Sequence, residues 1–389
     1  MPTISSVGQS FALDGREACI QAIEEARQKI LHEAEHIAMV FIFASREYNL
    51  QSILSGASAQ LRATPLFGFS TEGQLTANGQ EQRSIVVALI AGDDFTVQAH
   101  WLPDFSQNSE AKTQEIVENL ESTSGTGNKN LLLVNADGIH GDHEALCRIL
   151  SAVKYPVFGT LTGGSDRQKS AFQIGGVAGG EHGISAALFQ GNIKASVGVA
   201  HGWQAVGKYF ELSRTEDLWI RKLDHYPASE SYASLFGQQA RDWAFPPLNR
   251  LVRLYPLGIE NGETLSVKSP LLVEVDGSFR MTTHIPQGKV GHLLVGSTAS
   301  CLEAARQATQ QALTGLRGAR PILALVFADI AWKMLFETQP GQEIGPIREI
   351  LGPHIPIAGG YALGQLYTTP SGVENLNQHL EIVLLGTSD

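Results

Sequence analysis

Thr64–Gln74 reads TPLFGFSTEGQ, Tyr155–Ser165 reads YPVFGTLTGGS and Ile355–Gln365 reads IPIAGGYALGQ. The three align without gaps. Pro65, Pro156 and Pro356 share one column, and Gly68, Gly159 and Gly359 a second. Thr71, Thr162 and Ala362 share a third, and Gly73, Gly164 and Gly364 a fourth. Upstream of each stands an apolar run closing on Ala and a small polar or acidic residue: AMVFIFAS to Ser45, LLLVNAD to Asp137, ILALVFAD to Asp329. Short apolar runs bounded by polar breaks predict buried strands. Segments of helical length follow, at Tyr48–Leu61, Gly141–Val153 and Gly345–Leu351, and apolar runs close the units at Ser84–Ile90, Ile184–Phe189 and Leu380–Gly386. The repeat is therefore strand, helix, strand, Gly-rich turn, strand. Proline suits the first residue of a strand, where no ladder donor is needed. Glycine permits positive φ or close approach of a backbone or ligand. A degraded fourth copy is expected near Tyr255–Gly258.

Between the second and third copies the pattern changes. Ile193–Leu212 alternates like a strand pair about a His201-Gly202-Trp203 turn, and Ser229–Trp243 has helical spacing. Asp276-Gly277 between two short apolar runs is a hairpin signal. Cys301–Leu313 is an Ala-rich helix. The expected fold is α/β, with repeated strand–helix–strand–strand units forming mixed sheets in two pseudo-related halves. The division falls near Gly191, giving domains 1–190 and 191–389.

Composition narrows the function. The 389 residues carry 28 basic and 39 acidic side chains, net −11, which argues against a nucleic-acid binder. At 43% hydrophobic and 17% charged, the chain can build a large core. Cys19, Cys147 and Cys301 lie too far apart for a Cys-rich metal site or a disulfide framework, so a reducing compartment is expected. Met1–Gly8 lacks the pattern of a signal peptide, and no apolar run is long enough to span a bilayer. A cytoplasmic location follows as an expectation.

Several pieces, taken in order, resemble the FIST family of sensory-domain proteins. They are GFSTEGQ at Gly68–Gln74, ADGIHGDHEAL at Ala136–Leu146 and GTLTGGSD at Gly159–Asp166, then VAHGWQAVG at Val199–Gly207 and RKLDHYPASESYASLFG at Arg221–Gly237. RLYPLGIENG at Arg253–Gly262, IAGGYALGQL at Ile357–Leu366 and NLNQHLEIVLLG at Asn375–Gly386 complete the series. The resemblance implies an N-terminal and a C-terminal FIST-like domain and a non-catalytic signal-input module for small ligands such as amino acids. It further implies, through stand-alone members, a haem that senses nitric oxide and a partner histidine kinase. The family's frequent Cys near Phe69 and in the strand ending at Asp329 is missing here, which weakens any thiol-based role.

Candidate residues follow. His32-Glu33-Ala34-Glu35-His36 matches the zinc protease pattern, with two imidazoles on one helix face. It supports an alternative metal-dependent hydrolase, set against a solvated helix end without a third ligand. His140 and His143 lie beside Asp142, which reads as a helix N-cap. For haem, His201 at a strand end beside Gly202 and Trp203 is the first ligand, followed by His225 and Tyr226. For another small ligand, the Gly-rich turns converge Ser70, Thr71, Asp137, Thr162 and Tyr361 on one crevice. The competing reading is that these glycines only let strands pack. No nucleophile elbow, Walker loop or dinucleotide loop is present.

Overall fold

A computed structural model describes residues 3–30, 36–61, 63–123, 125, 128–163, 171–237, 239–262 and 264–388. His32, Gly164, Ser165 and Asp166 lie outside the described residues. The chain forms two compact units: Met1–Ala200 with Leu302–Asn375 and His379–Asp389, and His201–Cys301 with Leu376–Gln378.

The larger unit contains the repeat three times. Each copy opens with a lead strand: Ile4–Ser10, Phe95–Leu102 or Lys194–Ala200. A helix follows, then the apolar run strand: Ile37–Ser45, Lys129–Asp137 or Arg320–Asp329. A second helix leads to the glycine strand: Leu66–Thr71, Val157–Thr162 or Ile357–Ala362. A small hairpin comes next, and a return strand ends the copy: Ile85–Ala91, Ile184–Gly191 or Leu380–Thr387. Run and glycine strands pair in parallel, and the return strand pairs antiparallel with run and lead strands. The strand order is the same in all three copies, as the aligned motifs require.

The hairpins add a feature that no motif announces. Each completes the sheet of a different copy. Gln74–Thr76 of the first pairs with the third copy's glycine strand, Phe172–Gly176 of the second with the first's, and Gly364–Thr369 of the third with the second's. The result is three six-stranded sheets joined in a cycle.

The motif's prolines and glycines have structural work here. Pro65, Pro156 and Pro356 stand just before their strands, and their carbonyls accept the first ladder bonds from Val40, Leu132 and Ala324 at 3.1, 2.9 and 3.0 Å. Gly68, Gly159 and Gly359 lie within strands rather than in turns. A Cβ on them would stand 1.9, 1.8 and 1.9 Å from the carbonyl oxygens of Ile42, Val134 and Val326. No side chain fits such an approach.

Both faces of the run strands are apolar because both are covered. In the first copy Phe41 and Phe43 face a core shared by all three sheets, while Val40 and Ile42 face the helices Gly15–Gln28 and Leu50–Leu61. Leu131, Leu133, Leu325 and Phe327 join the shared core from the other copies. Phe43, Phe69 and Phe327 meet there with ring centroids 5.3, 5.8 and 5.7 Å apart.

The smaller unit, His201–Cys301, is an insertion between the lead strand and first helix of the third copy. The division near Gly191 therefore separates two copies from the third, whereas the compact unit continues to Ala200 and resumes at Leu302. Ile193–Leu212 is not a strand pair: Lys194–Ala200 joins the third repeat's sheet, and Trp203–Glu211 pairs with Val290–Gly296 in the insertion. Near Tyr255–Gly258 there is no fourth copy, because Leu257–Asn261 pairs antiparallel on both sides and lacks the parallel partner of a glycine strand. The helical segment splits into Ala228–Phe236 and a 3₁₀ turn at Ala240–Ala244. The Asp276-Gly277 hairpin forms as expected. The insertion has its own core around Tyr232, whose ring lies 4.6 Å from Phe279.

Candidate functional site

The repeat fixes a common frame at the C-terminal end of each run strand. The backbone N–H groups of Ser45, Asp137 and Asp329 donate to the carbonyls of Ser84, Gly183 and His379 at 3.0, 3.1 and 2.9 Å. Opposite the residue after each central glycine stands a fully buried glutamine: Gln173 faces Phe69, Gln365 faces Thr160 and Gln74 faces Gly360. Their bonding differs. Gln74 Oε1 accepts from Ser84 N and Oγ at 3.0 and 3.1 Å, and its Nε2 donates to Thr71 Oγ1 at 2.9 Å. Gln173 Oε1 accepts from Gly183 N at 3.0 Å, but its Nε2 has no partner among the described residues. Gln365 is fully buried, and neither amide atom has a partner among the described residues.

Glu381 adds to this imbalance. It lies opposite Phe327 in the ladder, within the shared interior, and neither carboxyl oxygen has a partner among the described residues. Burial pushes its pKa well above the usual carboxylate range, because a charge without solvent or counterion is costly. Tyr367, two residues beyond Gln365, has its phenol raised by burial first and by Glu381's charge second. Across the ladder, the Asn135 amide donates to Thr160 Oγ1, and its oxygen accepts from Thr162 Oγ1. Glu381 and the Tyr367 phenol thus interact beside an aromatic wall, with the Gln365 amide two residues along the same strand. Their open bonding capacity suits recognition of a small polar molecule. Each such group left unsatisfied costs ~1–3 kcal/mol.

The ligand residues expected from the motif take other roles. Ser70 Oγ accepts from Phe172 N at 2.9 Å. Thr71 Oγ1 donates to Gly73 O at 2.8 Å. Tyr361 donates to Glu343 Oε1 at 2.6 Å. Thr162 is engaged by Asn135. All four are buried and their hydroxyls are used inside the fold. Glu343 is fully buried, and burial raises its pKa to about 7.

Asp137 is different. Its Oδ1 accepts from Ile139 N at 2.8 Å, and its Oδ2 lies 2.9 Å from His182 Nδ1 and 3.3 Å from His140 Nδ1. His143 Nε2 reaches Asp137's carbonyl at 2.9 Å. The expected N-cap is present, with Asp142 accepting from Glu144 and Ala145 N–H.

The residues named for haem are separate candidates, each with its own surroundings. His201 is largely buried, which lowers its pKa, and its Nδ1 accepts from Trp203 N at 3.3 Å. His225 and Tyr226 are exposed on a turn. Tyr226 lines a cleft of 360 Å³ with Lys208, Phe210, Asp224, Glu230 and Leu235, a lining that mixes charged and apolar side chains. His36 is exposed, with Nδ1 3.2 Å from Gly92 O.

Sequence reasoning missed Gln173, Gln365, Glu381 and His182. Two signals were available: Gln74 and Gln365 share the motif's last column, and Glu381 is a lone acid in the apolar run LEIVLLG. Gln173 stands outside that column in the sequence, and His182 lies 45 residues from Asp137.

Comparison with known proteins completes the site. Residues 38–226 match the FIST N domain and residues 228–368 the FIST C domain. No curated protein matches the sequence. Among solved structures, a cyanuric acid hydrolase from A. caulinodans is similar at 8% identity, with TM-score 0.38 over 99% of each chain. PurLQS from Thermotoga maritima shows 11% identity and TM-score 0.26, over 100% of this chain and 73% of that one.

Proposed function

The chain belongs to the FIST family, and from that premise we propose a signal-input protein whose signal is a small polar ligand held inside the three-sheet unit. FIST domains are sensory, ligand-binding signalling domains. The observation that carries the reading is the pair Gln365 and Glu381, buried with all four side-chain polar atoms unpartnered. Folded proteins rarely leave such groups unmet, and an occupant would satisfy them. The chemistry favours an amino-acid-like ligand. Its ammonium would restore the charged form of Glu381, and its carboxylate would accept from Gln365 Nε2. Binding in the shared core would stiffen all three sheets, and a partner would read that change. In the family resemblance that partner is a histidine kinase. No helix among the described residues is long and apolar enough to cross a membrane. The reading is non-catalytic.

The test is thermal denaturation against a panel of amino acids and small amides, with mass spectrometry of any ligand released by unfolding. A true ligand at a hundred times its Kd should stabilise by about 2.7 kcal/mol. Gln365→Leu and Glu381→Leu should lose that gain. If no compound stabilises the wild type and none is released, or if both variants respond like the wild type, the reading fails.

A further inference from the structure

We propose that Asp137, His140 and His182 bind one divalent transition-metal ion, of the zinc class, at the end of the second repeat's run strand. One donor atom from each of the three residues lies within 4.8 Å of the other two. The measured Nδ1···Oδ2 separations are 2.9 and 3.3 Å. Zinc bonds of about 2.0–2.2 Å in a tetrahedron place neighbouring ligand atoms roughly 3.3–3.5 Å apart, so the ion enters after a small outward movement of the rings.

The fold supplies what a binding site needs. The N–H of Ile139 holds Oδ1, which leaves Oδ2 turned to the imidazoles. The Asp137 N–H bond to Gly183 O ties the His182 turn to the run strand, so ligands far apart in sequence are fixed together. His182 has φ +57°, and this left-handed turn is part of that fixation. Both imidazole side chains are 52% exposed and Asp137 only 6%. The carboxylate is therefore anchored while the rings border solvent, where a water or another donor completes the coordination. Without metal, each Nδ1–H donates to Oδ2. On binding, the proton is carried on Nε2 and the Nδ1 lone pair turns to the ion. Two imidazoles with one carboxylate favour zinc, cobalt, nickel or copper over magnesium and calcium, which prefer oxygen donors.

The repeat provides an internal control. The same frame in the first copy carries Ser45, Tyr48 and Arg83, with the guanidinium 5.5 Å from the Tyr48 ring centroid. No metal donor set stands there. The site is thus a property of the second copy's side chains and not of the backbone it shares. It is also independent of the proposed interior ligand, since it shares no residue with it.

The experiment uses untagged full-length protein, stripped with a chelator and titrated with cobalt(II) and then zinc. One equivalent of cobalt should bind with the visible bands of a low-coordinate N/O site, and zinc should displace it. His140→Ala should weaken binding by more than about 100-fold, beyond the loss expected for a merely supporting contact. His182→Asn, chosen because Asn tolerates the left-handed backbone, should do the same with an unchanged unfolding transition. His36→Ala should bind like the wild type. Absence of cobalt uptake by the wild type, or wild-type affinity in both variants, overturns the site.

Discussion

The first and second repeats share a backbone frame and use it for opposite purposes. In the first, Gln74 is bonded at both ends and Arg83 lies over Tyr48. In the second, Gln173 keeps one free end and Asp137 gathers two imidazoles. The third goes further, with Gln365 wholly unpartnered and Glu381 buried where the other copies place Val86 and Ser185. The difference separates two kinds of conserved geometry within one chain. Ladder bonds and glycine contacts recur in every copy and build the fold. Polar side chains on that frame diverge, and in the first copy they close the structure while in the others they leave chemistry open.

The largest expected effect tests the shared half of the comparison. Ala at Gly68, Gly159 or Gly359 puts a methyl under 2 Å from a backbone carbonyl in each case. Each change should cost about 4–5 kcal/mol, the top of the range for single substitutions, or prevent folding. Gly345→Ala, with nothing within 4 Å of its added Cβ, should be neutral or slightly stabilising. Urea unfolding of the four variants decides the matter. A mild effect at one repeat glycine would break the equivalence of the copies.

Next comes pH. Tyr361 holds in the third copy the place of Ser70 in the first, and its hydroxyl bonds Glu343. Burial raises Glu343 from 4.5 to about 7. Folded and unfolded forms are both protonated below pH ~4.5, so the contribution is complete there and is lost as pH rises through about 7. The contribution is on the order of 3 kcal/mol. Glu381 acts in the same direction. Denaturation across pH 4–8 should therefore show a fall that Glu343→Gln reduces by about that amount; an identical slope in the variant would reject the assignment.

How far sequence carried this structure depends on where each signal sat. The run and return strands and the matching glycine columns were legible because their causes are local: apolar runs and prolines before strands. The hairpin exchange was not, since pairing partners such as Gln365 and Thr160 belong to different copies and no local pattern encodes which copy a hairpin joins. The insertion was half visible. A change of pattern was clear after the second copy, but the third copy's lead strand, Lys194–Ala200, reads like any alternating strand. At the sites, Asp137 and Thr162 were found from strand ends, whereas His182 and Glu381 needed the fold to bring them near their neighbours.

The glutamine triad gives a smaller effect with a change of sign. Gln74→Leu strands the Ser84 N–H and removes one of the donors to Thr71 Oγ1, which keeps Gly73, and should cost about 2 kcal/mol. Gln365→Leu removes an amide with no bonds to lose, so ligand-free protein should be unchanged or more stable. Equal losses at both positions, measured by denaturant unfolding, would show that Gln365 is bonded within the fold and would remove its place in the ligand proposal.

The smallest effect concerns the first repeat's counterpart of the imidazole pair. Arg83 lies over Tyr48, donates to Leu13 O at 3.3 Å and approaches Glu47 at 3.4 Å, with its side chain 41% exposed. An exposed cation–π contact is worth ~0.5–1 kcal/mol, and an exposed ion pair about 0–1. These terms share one side chain, so Arg83→Ala should cost under about 1 kcal/mol in total. Raising the salt concentration should shrink the difference further, because screening removes the ionic part first. A loss well above 2 kcal/mol would mean that this position braces the first repeat. The second repeat could not then have exchanged it for His182 without a compensating tie, and the bond network around Asp137 would have to be that tie. A small loss instead shows a position the frame does not depend on, free in the second copy to become a ligand.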